Sequence, residues 1–259
     1  MTDAVTLPPE RLVAHRGYPG RYPENSLPGM QAAIAAGALQ VEFDVQFSRD
    51  GIPIVLHDES TARTTGRSGL VHEMPAEELR RLHVGEPARF GTSFPESPLP
   101  TLHCMLQLLA EFPQVTAFMD IKREGLSRLR CRHALAAMLN AMPDTLQRRQ
   151  LVFLSEEIRI VRLAREAGLR TGWLFEPWHE KHYSTARQLG AEFLFTSARH
   201  LPETGEAFWR GPWTWVLYEV DEPAQAAALL ERGAGLIETD WIAEWLGASP
   251  PVTATGTAS

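Results

Sequence analysis

The stretch Leu39-Gln40-Val41-Glu42-Phe43-Asp44-Val45-Gln46-Phe47 decides how the chain is read. Its β-branched and aromatic residues mark a strand, and in a strand side chains two residues apart share a face. Glu42 and Asp44 therefore converge on one point, while Val41, Phe43 and Val45 turn the other way. On a half-exposed strand the two acids would simply face water. In an α/β barrel one strand face packs against helices and the other fills the interior, so acids near the carboxyl end of a strand sit where functional groups collect. Two carboxylates aimed at one spot repel each other unless a cation or a shared proton lies between them. Ligands that are all oxygen favour Mg²⁺ or Ca²⁺ over zinc. One divalent cation, Mg²⁺ or Ca²⁺, is therefore expected.

The flanks add to this picture. Upstream stand His15-Arg16-Gly17 and Glu24-Asn25. Downstream, Asp50-Gly51 reads as a tight turn, so Ile52–Leu56 returns as a short strand that brings His57 back beside the carboxylates. Imidazoles titrate near neutral pH, so of two at strand ends one can accept a proton while the other donates one. The planar fork of Arg16 suits phosphate. Glu24 either orients Arg16 or joins the ion cluster, and Asn25 hydrogen-bonds a ligand or the loop backbone. Asp120-Ile121-Lys122 repeats the spacing of two at the end of another strand. Asp120 would supply a third oxygen ligand and Lys122 a charge for a phosphate oxygen, against the plainer reading of a surface ion pair. The remaining histidines, such as His103 and His133 on helices, read as structural.

Short apolar runs alternate with helical patterns along the chain. Strands are expected at Leu12–His15, Leu39–Phe47, Thr116–Lys122, Gln150–Ser155, Thr171–Glu176, Glu192–Thr196, Trp213–Val220 and Gly235–Asp240. Helices are expected at Ser26–Ala36, Thr101–Phe112, Leu126–Met142, Glu156–Ala167, His182–Leu189 and Glu222–Arg232. Ser26 can cap the first helix, and Gly37, Gly168, Gly190 and Gly233 can end four of them. Eight strands separated by helices predict an α/β fold, a single (β/α)8 TIM barrel. The His200–Gly211 connection is its weakest unit. A short insertion follows the second strand region: Asp58–Pro100 is rich in Gly, Pro, Thr and Arg with one modest helix near Ala76–Leu82. Connections that long are usually lids or specificity loops. Residues 1–248 are expected to form the catalytic domain, and 249–259, poor in bulky residues, a disordered tail.

Composition sets outer bounds. The 259 residues suit the roughly 250 typical of such a barrel. With 32 acidic against 25 basic residues and a net charge of −7, nucleic acid is an unexpected partner, because binding its backbone needs a concentrated positive surface. Two cysteines, Cys104 and Cys131, form neither a disulfide framework nor a zinc motif. MTDAVTLPPERL lacks the features of a signal peptide, and no apolar run approaches the roughly 20 residues that span a bilayer. A cytoplasmic enzyme is expected, without stable membrane insertion.

From His15 to Gly69 the chain closely resembles the opening region of glycerophosphodiester phosphodiesterases: an HRG, an EN, an E-x-D pair, a D-G turn, an HD and then R-T-T with glycines. The resemblance continues more faintly through Pro100-Thr101-Leu102, Asp120-Ile121-Lys122, Leu154-Ser155 and Thr239-Asp240. It implies a metal-dependent barrel hydrolase of lipid and glycerol metabolism. Its small-molecule substrate would be a glycerophosphodiester, cleaved to glycerol 3-phosphate and an alcohol such as choline or ethanolamine. In that reading His15 and His57 are the acid–base pair, Glu42, Asp44 and Asp120 hold the ion, and Arg16 and Lys122 hold the phosphate. Family members often carry Glu where this chain has Asp120. The Asp-x-Lys spacing is also similar to sphingomyelinase-D-like enzymes, so a phospholipase-D-type barrel acting on lysophospholipid or sphingolipid head groups is a rival. It would need an apolar entrance, which Trp173, Phe175, Trp178, Trp213 and Trp215 could line, although such aromatics are more often core or barrel packing. A barrel that only binds phosphodiesters is a further rival, although binding alone needs no acid–base pair.

Overall fold

A computed structural model describes residues 6–201 and 208–248. Its strands are β1 (Leu12–Ala14), β2 (Gln40–Phe47), β3 (Pro53–Val55), β4 (Thr116–Ile121), β5 (Leu151–Ser155), β6 (Arg170–Leu174), β7 (Phe193–Ser197), β8 (Thr214–Tyr218) and β9 (Leu236–Thr239). Eight of them run parallel. The order β1-β9-β8-β7-β6-β5-β4-β2 is closed by pairing of Ala14 with Val41, which makes a barrel. β3 is the exception: it turns back at Asp50-Gly51 and pairs antiparallel with the far end of β2, Val45 against Val55 and Phe47 against Pro53. Parallel neighbours need a crossover between them, and helices supply most of these. The predicted caps hold where the chemistry demands them. The Ser26 hydroxyl accepts from the Gly29 amide, and Gly190 ends its helix in the left-handed conformation.

Alternation along each strand sorts the core into two layers. Val41, Phe43, Val45 and Phe47 join the main core between barrel and helices. Val13, Phe118, Val152, Phe195, Val216 and Leu236 fill the barrel itself. Both faces of β2 are buried, so the half-exposed alternative for its acids fails: Glu42 is 3% and Asp44 1% exposed. Gly172 belongs to the inward phase, and a Cβ there would lie 3.0 Å from Leu154 and 3.2 Å from Phe195. Leaving out the side chain lets those two residues meet over β6.

Three expectations change. The single helix expected over Leu126–Met142 is two, Arg123–Arg128 and Cys131–Asn140. Leu129 and Arg130 between them are extended, because the first piece packs on the end of β2, with Gly125 against Gln46 and Phe47, while the second lies on the helix Ile158–Glu166. The 58–100 segment holds short helices at Ala62–Thr65 and Pro87–Phe90 besides the one expected near Ala76–Leu82. Ile54, Leu56, Val71, Leu79, Val84 and Leu99 give it a small core of its own. The tryptophans do not line an entrance: Trp173, Phe175, Trp213 and Trp215 are buried in the helix-facing layer, where Tyr183 and Trp209 pack against them and Trp178 stacks on Trp215. Their odd-numbered phase on β6 and β8 points them away from the barrel interior. The expected tail and part of the His200–Gly211 connection lie outside the described residues. No described helix is long and apolar enough to cross a membrane.

Candidate active site

Every predicted site residue lies at the carboxyl rim of the barrel. β2 runs beyond its neighbours and folds back as β3, whose end is tied in place by Leu56 N–H donating to the Asp44 carbonyl at 3.1 Å. That return sets His57 beside carboxylates it follows by more than a dozen positions. Glu42 and Asp44 point inward from β2 and Asp120 from β4, where it pairs directly with Asp44. One oxygen from each of these three buried acids lies within 4.8 Å of the others. Lys122 sits over them, with Nζ 2.7 Å from Asp44 Oδ1 and 2.6 Å from Asp120 Oδ2.

The β1 side supplies a second layer of pairing. Arg16 donates its backbone N–H to Glu42 Oε2 at 3.0 Å and its Nη1 to Glu24 at 3.0 Å. Its Nε lies 3.1 Å from Asp44 Oδ2 but off hydrogen-bond geometry. Asn25 grips Asp44 twice, donating Nδ2 to Oδ2 at 2.7 Å and accepting the Asp44 amide at 3.0 Å. Both Arg16 and Asn25 hold positive φ, 49° and 55°. Side chains other than glycine resist that conformation, and residues held in it cluster at functional sites. Gly17 between them has φ 86° and no room for a Cβ, which would lie 2.9 Å from the backbone of Gly29. Glu24 orients Arg16 and stands apart from the three-acid cluster.

Each histidine rests on its own carboxylate. His15 Nδ1 is 2.8 Å from Asp240 and His57 Nδ1 is 2.8 Å from Asp58. With Nδ1 engaged, Nε2 is the nitrogen left to exchange a proton. Asp58 is clamped in turn by Arg63, whose other nitrogens reach Glu24 at 2.6 and 2.8 Å. Glu86, also from the insertion, accepts the Glu24 amide at 2.7 Å. The packed insertion therefore steadies the carboxyl rim of the barrel. His103 is elsewhere, bonded to the Ala141 carbonyl.

The charges explain one another. Burial opposes ionisation of Asp44, yet Lys122, Arg16 and His57 outweigh it and hold its pKa far below the usual carboxylate range. Burial and then Asp44 push Glu42 the other way, well above that range. Lys122 and Arg16 stay firmly charged because their acids outweigh the cost of burial. Burial, with Asp120 and Asp44 adding to it, pushes Glu238 up to about 7. A divalent cation among Glu42, Asp44 and Asp120 would relieve this repulsion, and the all-oxygen donor set suits a hard ion.

These residues and the opposite wall enclose a cavity of about 360 Å³, lined on the near side by His15, Arg16, Glu42, Asp44, His57, Asp120 and Lys122. A cleft of about 450 Å³ shares His57, Asp120, Lys122 and Glu156 with it, so the mouth is one continuous depression. Sequence reasoning missed Glu238, Asp240 and Arg63. Signals existed: Glu238-Thr239-Asp240 repeats the Glu42-Phe43-Asp44 spacing, and Arg63 belongs to the R-T-T motif.

The family model described as the glycerophosphoryl diester phosphodiesterase family matches residues 15–243. Human glycerophosphodiester phosphodiesterase 1 is 35% identical over 122 residues, 46% of this chain and 36% of that protein. A glycerophosphodiester phosphodiesterase of Caldanaerobacter subterraneus is 36% identical over 100 residues, 39% of this chain and 40% of that one. The matched stretch thus spans well under half the length of these curated relatives. Among solved structures, a phosphodiesterase of Oleispira antarctica in complex with the product sn-glycerol-3-phosphate superposes with a TM-score of 0.77 at 22% identity, covering 92% of this chain and 95% of that one. A glycerophosphodiester phosphodiesterase from Thermotoga maritima gives 0.68 at 21% identity, covering 91% and 96%. At such identities the superpositions speak for the barrel alone. The family model reaches further, running from the His15 at the end of β1 past the Asp240 that holds it, and on that match the chain belongs to the glycerophosphoryl diester phosphodiesterase family.

Proposed function

We propose that the chain hydrolyses glycerophosphodiesters to glycerol 3-phosphate and an alcohol, with His15 and His57 as acid and base. The observation that carries this reading is the pair of imidazoles, each braced through Nδ1 by its own carboxylate, on the wall of the cavity that holds the acidic cluster. Binding alone would need neither brace. Arg16 and Lys122 would hold phosphate oxygens. Glu42, Asp44 and Asp120 would hold a divalent cation, Mg²⁺ or Ca²⁺. That ion would supply Lewis-acid stabilisation of charge developing on the substrate oxygens.

In the first step the glycerol 2-hydroxyl oxygen bonds to phosphorus as one histidine takes its proton. The bond from phosphorus to the alcohol oxygen breaks, and the second histidine protonates that oxygen. In the second step water opens the cyclic phosphate with the two roles exchanged. The same pair is thereby returned to its starting protonation.

Turnover of glycerophosphocholine, lysophosphatidylcholine and a chromogenic bis-phosphodiester tests the assignment. Cleavage of the first, lost on chelation, is expected. Preferential cleavage of lysophosphatidylcholine would favour a phospholipase-D-type activity, and binding without cleavage would favour a sensor.

A further inference from the structure

Glu238 has no part in the chemistry above, yet it lines the cavity where that chemistry is placed. Away from the rim and the acidic cluster, the inward phase of the barrel is apolar, with Val13, Val152, Phe195 and Val216 among its members. Glu238 shares that phase with Leu236, two residues back on β9, and lies level with Val13 across the pairing with β1. Solvation alone would put an aliphatic side chain there. The carboxyl is instead only 5% exposed, and its Oε1 has no hydrogen-bond partner among the described residues. A buried acceptor without a donor is costly, and in a cavity it marks where a ligand supplies one.

The group that fits this acceptor is neutral. The charged side chains whose fields reach Glu238 are His15, Asp120, Asp44 and Arg16. A phosphate oxygen brings no donor to an unpaired carboxyl, and in the hydrolytic reading Arg16 and Lys122 offer it cations. Direct ligation of the divalent ion does not fit either. The acid oxygens that converge within 4.8 Å among the described residues belong to Glu42, Asp44 and Asp120, without Glu238. A hydroxyl does fit. It donates to a carboxylate, and it both donates to and accepts from a carboxylic acid, so it suits Glu238 in either state. A glycerol phosphodiester has two hydroxyls on adjacent carbons. One attacks phosphorus as a histidine takes its proton, and the other takes no part in bond making.

We propose that Glu238 is a specificity-determining residue: its buried carboxyl accepts the glycerol hydroxyl that neither attacks phosphorus nor carries it. The proposal rests on the hydrolytic reading above and adds a contact outside the acid–base pair, the ion and the phosphate clamps. Its place beside His15 suits the task, because the second hydroxyl reaches Glu238 while its neighbour meets an imidazole.

Substrates that differ by one hydroxymethyl group test it. Glycerophosphocholine and 2-hydroxyethyl phosphocholine share the attacking hydroxyl, the phosphate and the leaving alcohol. With Mg²⁺ present, kcat/KM should favour the glycerol diester by roughly 10-fold or more, the size of one hydrogen bond to a charged group. In Glu238→Leu the ratio should drop toward 1. In Glu238→Gln, which keeps an acceptor oxygen, it should stay between the two. Glu238→Leu should also raise the urea unfolding midpoint, since it removes a buried, unpaired carboxyl. A ratio near 1 in the parent, a ratio unchanged in Glu238→Leu, or a lowered midpoint overturns the proposal. Calorimetric binding of sn-glycerol 3-phosphate and of 2-hydroxyethyl phosphate needs no turnover and separates this contact from the reading beneath it. If the parent but not Glu238→Leu prefers glycerol 3-phosphate, and neither diester is cleaved, the hydrolytic reading falls and the contact stands. If both diesters are cleaved and the two phosphates bind equally, the contact falls and hydrolysis stands.

Discussion

The two halves of the mouth solve the burial of charge in opposite ways. On the β1–β4 side nearly every polar atom is paired within the chain: Asn25 with Asp44, Lys122 with Asp44 and Asp120, Arg63 with Glu24 and Asp58. On the β5–β9 side an apolar floor lies under carboxylates, and Glu238 keeps a buried oxygen unpaired. The first arrangement is preorganised: its charges are already aimed, so little reorganisation is needed when a reaction develops charge there. The second leaves Glu238 Oε1 without a donor from the described residues.

Removing the ion should have the largest effect and strike the paired half alone. Chelation should abolish hydrolysis, with Mg²⁺ or Ca²⁺ restoring it, and Asp44→Asn should resist rescue. Full turnover by chelator-treated, metal-free protein would break the comparison at its base. Next come the histidines. His15→Ala and His57→Ala should each lower kcat by roughly 10²–10⁴-fold. His103→Ala, whose partner is a helix-end carbonyl, should leave kcat unchanged. Equal losses at all three positions would mean that histidine removal acts through folding.

Stability measurements compare the halves without any substrate. Gly17→Ala forces a left-handed φ on alanine and drives its Cβ against backbone, whereas Gly172→Ala meets two side chains that can give way. Gly172→Ala should cost about 1–3 kcal/mol, the usual range for overpacking, and Gly17→Ala more. Urea unfolding midpoints check the order, and the reverse order would show that the floor is the stiffer half.

The smallest expected effect concerns pH. Hydrogen bonds from Arg63, opposed by burial and aided by His57, lower Asp58 from 3.8 to about 2. Its folded pKa is below its unfolded value, so the stability it lends is present above about pH 4 and is lost as pH falls through about 2. Asp58→Asn should be the less stable protein at pH 7, with its unfolding midpoint approaching the parent's between pH 4 and 2. A gap constant across that window would show that Asp58 does not act through its charge.

Much of the paired half was legible because its determinants are local. Period-two spacing places Glu42 with Asp44, and Asp120 with Lys122, on common faces, and the Asp50-Gly51 turn returns His57 by chain geometry alone. The same spacing in Glu238-Thr239-Asp240 was a signal too weak to mark a site. Periodicity tells which residues share a face but not whether that face turns inward, and Glu238 turns inward because β9 pairs with β1, Val13 against Glu238. The tryptophans failed as an entrance for the same reason, since their phase on β6 and β8 sends them toward the helices. Local patterning by itself determined the eight barrel strands, the turn after β2 and the acid pairs. Barrel closure and the insertion decided the rest: the brace of Asp240 on His15, the clamp of Arg63 on Glu24 and Asp58, and the unpaired oxygen of Glu238. Arg63 meets Asp58 five positions away, but it reaches Glu24 across 39 positions and Asp240 reaches His15 across 225, while the phase of Glu238 follows from the register of the closing strands, which only the folded backbone sets.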